Sequence, residues 1–169
     1  MKITINKYIM AAAALFAADN MIKGHIEAGD EGGAKQGKNM FGGRLHIQKY
    51  HNTGAMLNIG GRNERLVALL SLAFSAFVSG IFAATLTTKG NVLLKSGLSL
   101  LLGGAYSNTY DRLKRQYVVD YVSFRLPETQ NKRLKMLKAA LESVVFNISD
   151  FGIMIGAMLI VAGEMLRKN

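Results

Sequence analysis

Two aspartates, Asp120 and Asp150, are the residues whose surroundings point most directly to chemistry. Asp120 lies in the segment Tyr-Val-Val-Asp-Tyr between apolar neighbours, and Asp150 lies within a long apolar run. An ionisable group at membrane depth is costly to keep, so each of these carboxylates is a functional candidate. For Asp150, the alternative is an acid near a helix end that reaches the membrane interface.

A pair of carboxylates that lie close together shares one proton, because both cannot ionise cheaply. The ionised member can take a proton from water, while the protonated member donates a hydrogen bond to a scissile carbonyl. This arrangement hydrolyses an amide without a metal or a nucleophilic side chain. The sequence leaves open whether Asp120 and Asp150 meet.

Other chemistries find little support in the residues. The absence of cysteine excludes a disulfide framework, a thiolate zinc site and a cysteine nucleophile. The sequence contains neither an HExxH motif nor a phosphate-binding glycine loop, and its three histidines lack the spacing of metal ligands. We therefore expect no metal and no cofactor.

The apolar residues determine the class of protein. The chain has 169 residues, of which half are apolar, and carries a net charge of +10. These values are typical either of a basic nucleic-acid-binding domain or of a small membrane protein. Because the basic residues lie between apolar stretches, we expect no nucleic-acid partner. We predict one membrane-embedded all-α domain over residues 1–169, with four transmembrane helices at about 3–22, 66–86, 92–106 and 144–165.

The four apolar stretches differ in how strongly they predict a membrane helix. Leu66 to Leu86 contains 21 residues without a charge, which strongly predicts a membrane helix. The first stretch also resembles a secretory signal peptide, because a basic start and an apolar run precede small residues. A basic surface protein with a leader is thus a further alternative, although the uncharged run argues against it.

Two long loops must carry the remaining structure. The glycine-rich loop Gly24–Arg65 contains a possible strand around Arg44–Tyr50. In the second loop, leucines recur at helical spacing among basic residues over Lys132–Glu142. That pattern predicts an amphipathic helix lying on the membrane, or else a solvated helix that packs on its own domain.

Four further ionisable residues have simple structural interpretations as two pairs. Asp19 can end the first helix and pair with Lys23 four residues later. Asp111 and Arg112 are neighbours in sequence and can form a surface ion pair, which would contribute little to stability.

Five short motifs occur in one order along nearly the whole chain. They are Asp19-Asn-Met-Ile-Lys23, Asn52-Thr-Gly54-Ala55, Gly103-Gly104-Ala through Asn108-Thr-Tyr-Asp111-Arg112, Tyr117-Val-Val-Asp120-Tyr and Phe146-Asn147-Ile-Ser-Asp150. Together they resemble the motifs of the lipoprotein signal peptidases, also called signal peptidase II or prolipoprotein signal peptidases. These are four-helix bacterial membrane aspartyl proteases that cleave prolipoproteins just before a diacylglyceryl-modified cysteine.

The resemblance implies roles for the motif residues. Asp120 and Asp150 would form the catalytic dyad, and a small extracytoplasmic β-cradle would come from Gly24–Arg65. Eight further residues would bind substrate or support the site: Asp19, Lys23, Asn52, Gly54, Asn108, Asp111, Arg112 and Asn147. The implied partners are prolipoproteins with a diacylglyceryl cysteine in their lipobox and membrane phospholipid, and the expected oligomeric state is a monomer.

The sequence also departs from the family pattern. Ser107 and Ser149 stand where the family usually has glycine and alanine, and Met56-Leu57 follow the single Ala55. The 30 residues from Asp120 to Asp150 form a long spacing. A divergent member is therefore expected, and a non-catalytic homologue that binds lipopeptide or lipid is the alternative.

Orientation is the point on which charge and motifs disagree. The resemblance implies a multi-pass protein of the bacterial cytoplasmic membrane with its active site towards the extracytoplasmic face. Fifteen of the 21 basic residues would then lie outside, whereas the positive-inside rule predicts that such residues lie in the cytoplasm. We give precedence to the motif series because five ordered motifs are more specific than a charge count.

Overall fold

The computed structural model describes residues 6–29, 37–54 and 63–167. Within these residues, the helices are α1 (Lys7–Ala28), α2 (Glu64–Leu86), α3 (Val92–Arg115), α4 (Lys132–Glu142) and α5 (Ile148–Arg167). The strands are β1 (Lys38–Met40), β2 (Leu45–Asn52), β3 (Val118–Phe124) and β4 (Val145–Phe146). The fold is thus mostly helical with one small antiparallel sheet.

Helix α3 is the centre of the bundle and packs against α1, α2 and α5. Its contact with α5 is close because glycines face each other. A Cβ atom at Gly97 would lie 2.6 Å from the Gly156 carbonyl oxygen, and one at Gly104 would lie 2.4 Å from that of Ser149. Small residues allow such an approach of two helix backbones. The second contact positions the start of α5, where Asp150 lies.

The apolar surface of the bundle faces outward as well as inward. Val78 and Phe82 of α2 pack against Leu98 and Leu102 of α3 in the core. Phe77 is 68% exposed on the other side of α2. Among the described helices, α2 and α5 are long and apolar enough to cross a membrane. The other two crossings stay a prediction.

Helices α1, α3 and α5 differ most from their predicted bounds. Helix α1 continues past residue 22 to Ala28, and the predicted start at residues 3–5 lies outside the described residues. Helix α3 continues past residue 106 to Arg115, where Ser107, Asn108, Thr109 and Asp111 are buried and bind partners from other elements. Helix α5 begins at Ile148 rather than 144, because Val145–Phe146 pair with β3. Apolarity alone therefore predicted the ends of α1 and α3 too early, and it also predicted the start of α5 too early.

The sheet has the order β1-β2-β3-β4, and all neighbours are antiparallel. The strand predicted around Arg44–Tyr50 is present as β2. Within the described residues, the loop Gly24–Arg65 supplies β1 and β2, whereas β3 and β4 come from the chain between α3 and α5. The predicted sheet from Gly24–Arg65 is therefore confirmed in part, because two of its four strands come from elsewhere in the chain. Pairing of β2 with β3 brings Asn52 next to the strand that carries Asp120.

Helix α4 has the predicted bounds, and none of its residues is fully buried. It is attached by polar contacts. The Glu142 carboxylate accepts a hydrogen bond from the Leu126 backbone N–H at 2.7 Å. Lys138 forms an ion pair with Glu128. The helix therefore lies on the surface of the molecule and leaves Met136 69% exposed.

Candidate active site

Asp120 and Asp150 lie in one hydrogen-bonded site, connected through two asparagine side chains. The Asn147 Nδ2 atom donates to Asp120 Oδ1 at 2.7 Å and to Asn108 Oδ1 at 3.1 Å. The Asn108 Nδ2 atom donates to Asp150 Oδ1 at 2.9 Å. Strand β3, helix α3 and the start of α5 therefore bring together residues that are up to 42 positions apart.

Asp150 lies in the first turn of α5, because the helix begins at Ile148 rather than at the predicted residue 144. Asn147 caps this helix, because its Oδ1 atom accepts from the Asp150 N–H at 3.0 Å. Asp150 Oδ2 accepts in return from the Asn147 N–H at 2.9 Å. This reciprocal pair is a capping box, and the positive end of the helix dipole favours a carboxylate there.

Asp120 lies on β3, is 2% exposed and accepts hydrogen bonds from Asn147 and Asn52. Burial raises the pKa of Asp120 to about 6, and the charge of Asp150 adds to that effect. The amides of Asn52 and Asn147 oppose it by donating to the carboxylate. The Asn52 Nδ2 atom lies 2.9 Å from Asp120 Oδ2. This carboxyl group consequently holds a proton far more readily than an exposed aspartate does.

Gly54 acts on the site through Asn52. Its backbone N–H donates to Asn52 Oδ1 at 3.1 Å. With that oxygen occupied, the Nδ2 end of the amide is directed to Asp120. Ala55, the last residue of this motif, lies outside the described residues.

A buried charge cluster, formed by Asp19, Lys23 and Asp111, lies beside the dyad. All three side chains are fully buried. The Lys23 Nζ atom lies 2.7 Å from Asp19 Oδ2 and 3.0 Å from Asp111 Oδ2. It also donates to Asn108 Oδ1 at 2.8 Å. The ammonium group thereby holds the amide whose other end donates to Asp150.

Two of the simple interpretations need correction. The predicted ion pair of Asp19 with Lys23 is present, but it lies in the interior, and α1 does not end there. Asp111 pairs with Lys23 and Arg115 rather than forming a surface pair with Arg112. Consecutive residues of a helix point in different directions, whereas residues four apart lie on one face.

Arg112 is half-buried at the edge of the site. The charges of Asp120, Asp150 and Asp111 act on its guanidinium group. Its Nη1 atom makes a long contact of 3.5 Å with the Asn108 carbonyl oxygen. The guanidinium group is therefore within electrostatic reach of both carboxylates, and this long contact is its one hydrogen bond to the described residues.

Sequence reasoning missed three residues of this region as contributors to the site: Ser107, Tyr121 and Ser149. Each is buried and donates a hydrogen bond to Asp19. Burial and the neighbouring Asp19 carboxylate raise the pKa of Tyr121, so its hydroxyl stays protonated as a donor. One signal in the sequence could have drawn attention to Ser107 and Ser149, because both depart from the family pattern.

These features describe a mostly helical protein with apolar outer surfaces, in which two carboxylates share one hydrogen-bonded site. Comparisons with known proteins agree on its family. The sequence pattern of Signal peptidase (SPase) II matches residues 11–166. The chain therefore belongs to the signal peptidase II family, as its motifs indicated. This is a family of proteases, hydrolases that take part in lipoprotein processing, and the apolar helices are consistent with a membrane location.

Individual relatives and solved structures give the extent of the similarity. The lipoprotein signal peptidase of Mesorhizobium japonicum is 28% identical over 163 residues, which cover 94% of this chain and 85% of the relative. That of Brucella ovis is 35% identical over 128 residues, covering 72% and 68%. Two structures of a bacterial membrane enzyme, solved by the in meso method at 2.3 Å and 1.9 Å, share the fold. Their TM-scores are 0.74 and 0.70 at 21% and 22% identity, and they cover 98% and 94% of this chain and 92% of each solved chain.

Proposed function

We propose that this chain is an intramembrane aspartyl endopeptidase that removes the signal peptide from diacylglyceryl-modified prolipoproteins. Asp120 and Asp150 would be the catalytic dyad. The observation that carries this proposal is the shared hydrogen-bonded site of the two carboxylates, at one end of a bundle with an apolar outer surface. Family membership supports the substrate class.

In the proposed mechanism the dyad holds one proton. The ionised carboxylate removes a proton from water, and the resulting hydroxide equivalent attacks the scissile carbonyl carbon. The protonated carboxyl donates its hydrogen bond to the carbonyl oxygen as that oxygen becomes negative. Collapse of the tetrahedral intermediate breaks the C–N bond, and the dyad returns a proton to the leaving amine. The four carboxylate oxygens each accept one hydrogen bond from an asparagine, which leaves a further lone pair on each for water or substrate.

The remaining site residues would support this reaction. Arg112 would donate to a backbone carbonyl of the substrate, since its guanidinium group lies near both carboxylates. Asn52, Asn108 and Asn147 would hold the carboxylates in register, and Gly54 would orient Asn52. The buried charge cluster of Asp19, Lys23 and Asp111 would support Asn108 from the protein side.

We further propose that the chain is one domain over residues 1–169, works as a monomer and crosses the bacterial cytoplasmic membrane four times. The dyad would face the extracytoplasmic side, and the turn at 87–91 would face the cytoplasm. A reporter inserted in that turn tests the orientation. Activity of a cytoplasmic reporter is expected, and activity of an extracytoplasmic reporter would contradict the proposal.

Helix α4 would contact phospholipid headgroups next to the acylated substrate. Lys132, Arg133 and Lys135 lie on a surface helix with exposed leucines and Met136, a pattern that suits an anionic membrane surface. Charge reversal of these three residues should weaken cleavage in vesicles that contain anionic lipid and leave cleavage in zwitterionic detergent unchanged. Equal activity of variant and wild type in both media would remove this part of the proposal.

The dyad is tested by cleavage of a diacylated prolipoprotein peptide by the purified protein in detergent. We expect Asp120→Asn and Asp150→Asn each to lower kcat by at least about 100-fold, because either change removes one of the two proton-transfer groups. Glu164→Gln is the matched control, since Glu164 lies on the same helix as Asp150, at its other end, and pairs with Arg167.

The outcomes separate the proposal from its rival. Undiminished cleavage by either aspartate variant would refute the dyad. If the unmutated protein bound the diacylated peptide without cleaving it, the non-catalytic lipopeptide-binding alternative would hold instead.

A further inference from the structure

Three hydroxyl groups from three different elements converge on the buried carboxylate of Asp19. Ser107 Oγ of α3 and Ser149 Oγ of α5 each donate to Asp19 Oδ2 at 2.6 Å. Tyr121 Oη of β3 donates to Asp19 Oδ1 at 2.9 Å. Asp19 and both serines are fully buried, and Tyr121 is 4% exposed. Together with Lys23 on Oδ2, four donors occupy this one carboxylate.

Each of the three hydroxyl donors is the immediate chain neighbour of a residue in the dyad site. Ser107 precedes Asn108, and Ser149 precedes Asp150. Tyr121 follows Asp120 on β3, where successive side chains point to opposite faces. Asp120 can therefore point into the site while the next side chain binds Asp19 on the other face. The backbone of the site is thus tied to Asp19 at three places.

We propose that Ser107 and Ser149 are positioning residues, which with Tyr121 clamp the backbone beside Asn108, Asp120 and Asp150 onto Asp19 and so set the separation of the two dyad carboxylates. The inference rests on the proposed function, and it assigns no contact with substrate to the serines. We call this arrangement the Asp19 clamp.

The chemistry of the contacts supports a rigid clamp. Hydroxyl-to-carboxylate hydrogen bonds of 2.6 Å lie in the range of short, charge-assisted bonds, which are about twice as strong as neutral ones. Ser107 is itself held, because its Oγ atom accepts from Asn20 Nδ2 at 3.0 Å. Tyr121 Oη accepts from the Ile148 N–H at 3.1 Å, which adds a tie to the start of α5. Two of the three hydroxyl donors are thus held by a second hydrogen bond.

The sequence adds an independent reason to treat the two serines together. They are two of the points at which this chain departs from the family pattern, where glycine and alanine are usual. Neither glycine nor alanine carries a hydroxyl, so neither can donate to Asp19. Two departures 42 positions apart in the sequence therefore end on one carboxylate oxygen.

The test compares the double variant Ser107→Ala/Ser149→Ala with Ser99→Ala. Ser99 is a matched control, because it is 1% exposed and ties α3 to α1 through the Tyr8 carbonyl, away from the dyad. In cleavage of a diacylated peptide, a loosened dyad should lower kcat of the double variant by about tenfold or more and leave KM within about twofold. Ser99→Ala should leave both constants at their wild-type values.

A second measurement does not depend on activity. Difference infrared spectra of the carboxyl band, with Asp120→Asn and Asp150→Asn as references, follow protonation of the dyad against pH. Closely held carboxylates titrate in two well-separated steps. The fixed charges around the pair are Asp19, Lys23, Asp111 and Arg112, and none of them is altered. We expect the difference between the two apparent pKa values of the dyad to be smaller in the double variant than in the wild type. In Ser99→Ala the difference should equal that of the wild type.

Each outcome decides the proposal. A smaller separation between the two titration steps in the double variant supports the clamp. This result would hold even if the unmutated protein proves inactive and the proposed function fails. Unchanged steps in the double variant, or an equal narrowing in Ser99→Ala, would overturn the clamp. A merely structural role would lower the melting temperature of both variants alike and leave the separation of the steps unchanged.

Discussion

Two lysines of this protein pair with two carboxylates each, in regions that differ in almost every other respect. Lys23 lies in the interior between Asp19 and Asp111, and all three side chains are 0% exposed. Lys138 lies on α4 between Glu128 and Glu142, and the Glu128 side chain is 88% exposed. The same residue types thus form a rigid internal support in one place and a surface link in the other.

The difference follows from solvation. An ammonium group in the interior gives up its water, so each of its three protons needs a partner in the protein. Lys23 finds these on Asp19, Asp111 and Asn108, and the last contact reaches the dyad site. Water can replace Glu128 and Glu142 as partners of the Lys138 ammonium group at a small cost in free energy. Among these two groups, the buried one is therefore the one that can transmit position to Asp120 and Asp150.

The largest expected effect comes from removing the buried ammonium group. Lys23→Met would leave the carboxylates of Asp19 and Asp111 in the interior without it, which should cost about 3–5 kcal/mol of stability. Thermal unfolding of the purified protein in detergent measures this loss. Lys138→Met is the control and should unfold near the wild-type temperature. Equal melting temperatures for the two variants would show that burial does not separate the two pairs.

A smaller effect is expected from the pH dependence of stability. Burial raises the pKa of Asp120 from 3.8 to about 6, so the folded protein binds this proton more tightly than the unfolded chain does. The contribution of this proton to the free energy of unfolding is fully present below pH 3.8 and is lost as pH rises through about 6. The loss corresponds to about 3 kcal/mol.

Melting temperatures between pH 4 and pH 8 check this expectation. The wild-type value should fall over that range by more than the value of Asp120→Asn, which has no proton to lose. Glu128→Gln is the contrasting variant, because a hydrogen bond from Lys138 lowers the pKa of Glu128. It should keep the wild-type fall with pH. A parallel fall in all three proteins would mean that Asp120 is not the group responsible.

The smallest effect is expected from breaking the exposed pair. Glu128→Gln removes one charge from the link between the loop and α4, where water can replace it. The melting temperature and kcat at neutral pH should both match the wild type. A clear fall in either value would mean that α4 is held more firmly than its exposed contacts indicate.

Much of the site could be predicted from the sequence because its residues occur in short ordered motifs. The spacing of Asp19 and Lys23 correctly predicted an ion pair, since it depends only on helix geometry. The partner of Asp111 could not be predicted in this way. Lys23, which pairs with Asp111, lies on a different helix, α1. Arg112 follows Asp111 directly on α3, so its side chain points in a different direction.

Helix ends were less predictable for a related reason. Apolarity marks where a helix can face lipid, but α3 continues for nine residues beyond that point. Those residues are polar and become helical because other elements satisfy them: Ser107 and Asp111 bind partners on α1. The start of α5 depends likewise on the capping box of Asn147 and Asp150 and on pairing of β4 with β3.

The sequence by itself determined the class of the molecule, the two carboxylates and the family, because apolar runs and ordered motifs are local properties of a chain. Only the tertiary structure decided that Asp120 and Asp150 share asparagines, and that Ser107, Tyr121 and Ser149 meet on Asp19. These contacts join residues from α1, α3, β3 and α5. They exist because a buried charge must find every one of its partners inside the protein, wherever along the chain those partners lie.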